Sequence, residues 1–118
     1  MSLKEQLLQH AKVQVKPVKV AFDDAEIEVN VKQFSAREYQ EHVAFTKSLV
    51  KKDGDKDVVD YGRLRESNAH EISKRLLSET GTSLFTLDEV LDLSDDAVDK
   101  FMTAIKSTEK TVEQAAKN

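Results

Sequence analysis

The chain has no cysteine and no tryptophan, and only one proline and three glycines among 118 residues. Without cysteine there is no disulfide framework, no thiolate metal site and no thiol nucleophile, a composition that a reducing cytoplasm permits. Three glycines leave no room for a glycine-rich phosphate cradle. Aromatic residues make up 6% of the chain, so its core must be mainly aliphatic. Nowhere do about 18 apolar residues run together, as a membrane-spanning helix requires. The apolar run within Met1–His10 is also too short for a signal peptide. The net charge is −4, with lysines and arginines interleaved among acids. A nucleic-acid ligand would call for a clustered basic face instead. From these absences a soluble, intracellular protein is expected.

What is present suits one small domain. Charged residues reach 34% and hydrophobic ones 39%. A chain of this length buries about 65% of its unfolded surface, enough for one core. The expected fold is α+β, an N-terminal β-hairpin followed by a mainly helical bundle, over a single domain spanning 1–118. Residues 1–11 read as a short helix carrying Leu3, Leu7 and Leu8. Residues 12–34 read as the hairpin, in which Val13, Val15, Val18, Val20 and Phe22 alternate with polar residues and change parity across Pro17. Proline gives up a ladder donor, so Pro17 is expected at a strand edge or a bulge. Alternation resumes with Ile27, Val29 and Val31.

Residues 35–112 read as helical, with 113–118 a frayed tail. Ser35 and Glu38 form a capping box, and Phe34 with Tyr39 a hydrophobic staple, opening a helix over about Ala36–Lys52. The glycine-containing stretch Lys51–Asp57 then breaks the chain. A long helix is predicted over Val59–Ser78, with Tyr61, Leu64, Ala69, Ile72, Leu76 and Leu77 on its buried side. Gly81 suits a left-handed C-cap. Thr86 and Glu89 form a second capping box, and Ser94 caps the last helix, whose stripe is Val98, Phe101, Met102, Ile105 and Val112.

No constellation of residues carries recognisable chemistry. Asp53, Asp55 and Asp57 have the opening spacing of a calcium loop, but Val58 and Leu64 stand where it needs glycine and glutamate. His10, His42 and His70 fall in separate elements without metal-ligand spacing. Asp92, Asp95, Asp96 and Asp99 cluster at helix starts, where capping and the helix dipole account for them. No metal, cofactor or catalytic residue is assigned, and an enzyme is not expected. The stripe of the last helix has two readings, packing onto the hairpin or binding another chain. Phe101, Met102, Ile105 and Val112 are the candidate partner-binding residues, because a flexible methionine and an apolar helix end suit a partner groove.

Two stretches, Val31-Lys32-Gln33-Phe34-Ser35-Ala36-Arg37-Glu38 and Gly81-Thr82-Ser83-Leu84-Phe85-Thr86-Leu87-Asp88-Glu89-Val90-Leu91-Asp92-Leu93-Ser94, stand in an order that resembles the tail assembly chaperones of long-tailed bacteriophages. The likeness covers about Val13 to Lys106 and rests on structural punctuation. It implies a non-catalytic protein that binds the tape measure protein, keeps it soluble and helps recruit tail tube subunits. It further implies weak homo-oligomers, action in the cytoplasm of the bacterial host, and absence from the mature virion. Such chaperones are often also made in a longer frameshifted form, and one codon choice for Ala116-Lys117-Asn118 contains a slippery heptamer. The competing reading is a structural tail or connector component of the virion.

Overall fold

A computed structural model describes residues 2–54, 56–59 and 63–109. The first helix, α1 (Leu3–Ala11), is capped by Ser2, whose hydroxyl accepts from the Glu5 backbone N–H at 3.1 Å. None of its residues is buried, and Leu3 and Leu7 are 71% and 59% exposed.

Alternation then makes β1 (Val15–Ala21) and β2 (Glu26–Lys32), an antiparallel pair with Val18 opposite Val29 and Val20 opposite Ile27. Gln33 N–H donates to the Gln14 carbonyl at one end and Phe22 N–H to the Ala25 carbonyl at the other. Odd-numbered residues of β2 therefore bond to β1, and even-numbered residues turn their N–H and C=O groups the other way. Pro17 lies opposite Asn30, so its nitrogen faces the open side of edge strand β1 and no ladder bond is lost. The register passes Pro17 without a bulge.

The capping box forms as expected. The Ser35 hydroxyl accepts from Glu38 N–H at 3.1 Å, and the Glu38 carboxylate accepts from Ser35 N–H at 3.0 Å, opening α2 (Ala36–Lys47). The staple rings of Phe34 and Tyr39 meet edge to face at 6.2 Å. α2 ends earlier than predicted. The Ser48 hydroxyl turns back to the Phe45 carbonyl, and the chain passes into β3 (Val50–Asp53) and β4 (Lys56–Val59). These strands form a separate two-stranded sheet, with Gly54 at φ +67° in the turn. The stretch expected to be a helix end and a polar break is thus a second hairpin. Asp53 and Asp57 lie in its strands, while Asp55 and Tyr61 lie outside the described residues.

The long helix is also shorter than predicted, at α3 (Leu64–Arg75). Leu76 turns extended (φ −88°, ψ 121°), and Leu76–Leu77 becomes β5, pairing with Val31 and Asn30 of β2. The sheet order is β1-β2-β5. Two apolar residues continuing the stripe of α3 read as helix; burial against the sheet makes them strand. Gly81 is left-handed, at φ +86°, but it serves a turn closed by Ser78 N–H to the Thr82 carbonyl rather than a helix cap.

Thr86 and Glu89 cap α4 (Leu87–Leu91), and Ser94 caps α5 (Asp95–Ser107). Val20 and Val31 from the sheet, Ala69, Ile72 and Leu76 from the α3–β5 run, Val90 from α4, and the stripe of α5 together make the core. The α+β expectation holds, with a three-stranded sheet behind the helices and a second small hairpin that sequence reading missed.

Candidate partner-binding groove

The residues proposed for partner binding lie mostly inside the core. Phe101 and Met102 are each 8% exposed and Ile105 is fully buried. Phe101 meets Phe22 edge to face at 6.5 Å and Phe85 at 5.9 Å. Of the two readings of that stripe, packing onto the domain's own hairpin accounts for these three side chains. Val112 lies outside the described residues. The acidic cluster also has a structural role. Asp95 and Asp99 of α5 clamp Arg65 of α3, the latter at 2.7 Å, and Asp96 pairs with Lys100 at 3.0 Å.

The open surface lies instead between α2 and α3. The cap at Ser35 sets the direction of α2, which brings His42 and Phe45 against α3. Phe34, His42, His70 and Phe45 stack in one column, with successive ring centroids 5.2, 5.1 and 4.4 Å apart. In the middle of the column, the two histidine Nδ1 atoms lie 2.9 Å apart. One must donate and the other accept, so the pair holds only while at least one ring is neutral. His42 Nε2 lies 3.6 Å from Glu71.

Burial pushes the pKa of His42 below its ordinary value; Glu71 pulls it back up, and Arg75 lowers it further. For His70, burial leads again, with His42 and Lys74 lowering it and Glu41 and Glu71 opposing. Nothing in the local sequence relates these histidines. Twenty-eight residues separate them, and only the packing of α2 on α3 brings them together.

Arg75, at the end of α3, anchors one side of the groove. Its side chain is 3% exposed. Nε donates to the Lys32 carbonyl at 2.9 Å, continuing the even-numbered edge of β2 just beyond β5. Nη1 meets Glu71 and Glu109 at 2.7 Å each, and the guanidinium stands 5.0 Å over the Phe34 ring. One sequence signal could have marked it: Arg75 stands between Ile72 and Leu76 on an apolar stripe, four residues after Glu71. Beside it, Lys32 and Glu38 form a close, half-buried ion pair. Burial raises the Glu38 pKa, but bonds from Lys32 and from the Ser35 N–H outweigh it and leave the pKa below its usual value.

The groove encloses about 790 Å³ and is lined by Phe34, Tyr39, Val43, Thr46, Arg75 and Lys106, among others. Two of its hydroxyls, those of Thr46 and Ser67, share a bond at 2.8 Å. Among the described residues, no group of three metal-ligating side chains converges. Among them, too, no helix is long and apolar enough to cross a membrane. Ring faces and aliphatic carbons with charges at the rim make a surface suited to holding a side chain or a helix face. In comparisons with known proteins, no family model, curated protein or solved structure matches this chain.

Proposed function

We propose that this chain is a non-catalytic phage tail assembly chaperone, which binds the tape measure protein, keeps it soluble and helps recruit tail tube subunits. The observation that carries this reading is the order of two capped junctions after paired strands: Phe34-Ser35-Ala36-Arg37-Glu38, then Gly81 through Ser94. Its support is that both junctions are working caps, with Ser35–Glu38 and Thr86–Glu89 each bonded reciprocally. The acidic, highly charged composition also fits a subunit that coats a long helix in many weak copies and later leaves it. In this reading the α2–α3 groove, rather than the buried stripe of α5, receives an apolar helix face of the tape measure protein.

The test is co-expression with a tape measure protein from the same tail gene cluster. The expected result is that an otherwise insoluble tape measure protein becomes soluble and co-purifies with this chain. A tape measure protein that stays insoluble beside abundant, folded chain would overturn the reading. Mass spectrometry of purified virions separates the competing structural-component role: a chaperone is absent or at trace level, and a connector subunit is present in stoichiometric amounts.

A further inference from the structure

The sheet has two open edges, and they are built differently. The outer edge of β1 carries Pro17, Lys16 and Lys19, devices that discourage another strand from pairing. The opposite side of β2 is covered only in part. Its ladder to β5 stops at Asn30–Leu77, and Arg75 takes the Lys32 carbonyl beyond. Glu26–Val29 therefore has β1 on one side and no strand on the other among the described residues. The pairing of odd-numbered residues with β1 leaves the N–H and C=O of Glu28 directed into this gap.

The gap is a shaped groove of about 370 Å³, lined by Ile27, Glu28, Val29, Leu77, Glu79 and Leu84. Ile27 is 52% exposed there. Four residues of edge amount to about 13 Å, long enough to register a short added strand. The charge around it is acidic, from Asp23, Asp24, Glu26, Glu28 and Glu79, with Lys19 at 3.9 Å from Glu26.

From this geometry we propose that the open edge of β2 is a docking site for an extended segment of another protein in which basic and β-branched residues alternate. The main-chain groups of Glu28 supply ladder bonds to the incoming strand. Because side chains alternate across a sheet, basic residues of that strand fall beside Glu26 and Glu28, and apolar ones beside Ile27, Val29 and Leu84. The edge is a property of the sheet and does not depend on the function proposed above.

The probe is a fluorescently labelled, end-blocked peptide, Lys-Val-Lys-Val-Lys-Val-Lys, titrated with the full chain at low salt. Saturable binding is expected, together with amide shifts at Glu26, Glu28, Leu77 and Ser78. The same peptide with glutamate in place of lysine should not bind. Glu28→Pro removes the outward N–H, as Pro17 does on the other edge, and should weaken binding at least ten-fold while thermal unfolding stays near that of the parent. If that variant folds poorly, Glu28→Lys keeps the backbone edge and should weaken binding by a similar factor through charge. No saturable binding, equal binding by the glutamate peptide, unchanged affinity in both variants, or amide shifts confined to the α2–α3 groove would each overturn the proposal.

Discussion

Replacing Arg75 with methionine tests the account of the groove most directly. Methionine fills much of the same volume, so the change removes the guanidinium and leaves little cavity. Three partners are then exposed to the loss. The Lys32 carbonyl loses its 2.9 Å donor. An orphaned buried acceptor costs about 1–3 kcal/mol. Glu71, whose side chain is only 17% exposed, loses its 2.7 Å partner. Breaking a buried pair from one side costs about 3–5 kcal/mol when the stranded charge is sealed from water; at 17% exposure Glu71 regains some hydration, so its share falls below that range. Glu109 is 55% exposed. Its arm of the network is therefore worth no more than about 1 kcal/mol. The expected loss for Arg75→Met is about 3–4 kcal/mol, a large share of the stability of a domain this size. By interpolation for a chain of this length, that is a fall of roughly 12–15 °C in Tm.

Urea unfolding followed by circular dichroism gives the free energy, and two companion variants test its cause. Glu71→Gln/Arg75→Met removes the stranded charge and should recover part of the loss. Glu109→Gln alone should cost under about 1 kcal/mol. A loss below about 1 kcal/mol for Arg75→Met, or a double variant no better than the single, would refute the argument that Glu71 and Lys32 depend on this guanidinium.

Other outcomes are expected at independent positions. Ser35→Ala removes the hydroxyl that receives Glu38 N–H and should cost about 1 kcal/mol in the same urea assay. Ile105→Ala, at a fully buried core position, should cost about 2–5 kcal/mol, which would confirm Ile105 as a packing residue; a neutral result would reopen its role as a partner contact. His42 and His70 have pKa values below 6.5 in the folded chain, so the unfolded chain takes up protons first on acidification. Their stabilising contribution is complete above pH 6.5 and is lost as pH falls from there through the folded values. Urea midpoints measured downward from pH 7.5 should show this loss, and His42→Phe/His70→Phe should flatten it. In Arg75→Met, NMR titration should find the His42 pKa raised, because a cation that lowers it is gone and Glu71 no longer shares its charge.

The sequence by itself determined the features whose causes lie within a few residues. Ser35 with Glu38, Thr86 with Glu89, and Ser94 mark helix starts because a cap needs only the next three positions. The β1–β2 hairpin was legible because period-two alternation on both sides of a short polar turn has few other solutions. Tertiary structure decided the rest. Leu76 and Leu77 continue the apolar stripe of α3 and become strand only because β2 is there to pair with them. Val50–Asp53 ends as strand because β4 returns beside it, although its charged residues carry no strand signal. Phe101, Met102 and Ile105 present the same residue types whether they face a partner or a core, and only the position of the sheet shows which. The His42–His70 contact and the bonds from Arg75 to Lys32 and Glu109 join residues 28 to 43 positions apart. Local sequence carries no record of such pairings, because the energy that fixes them comes from burial shared between elements.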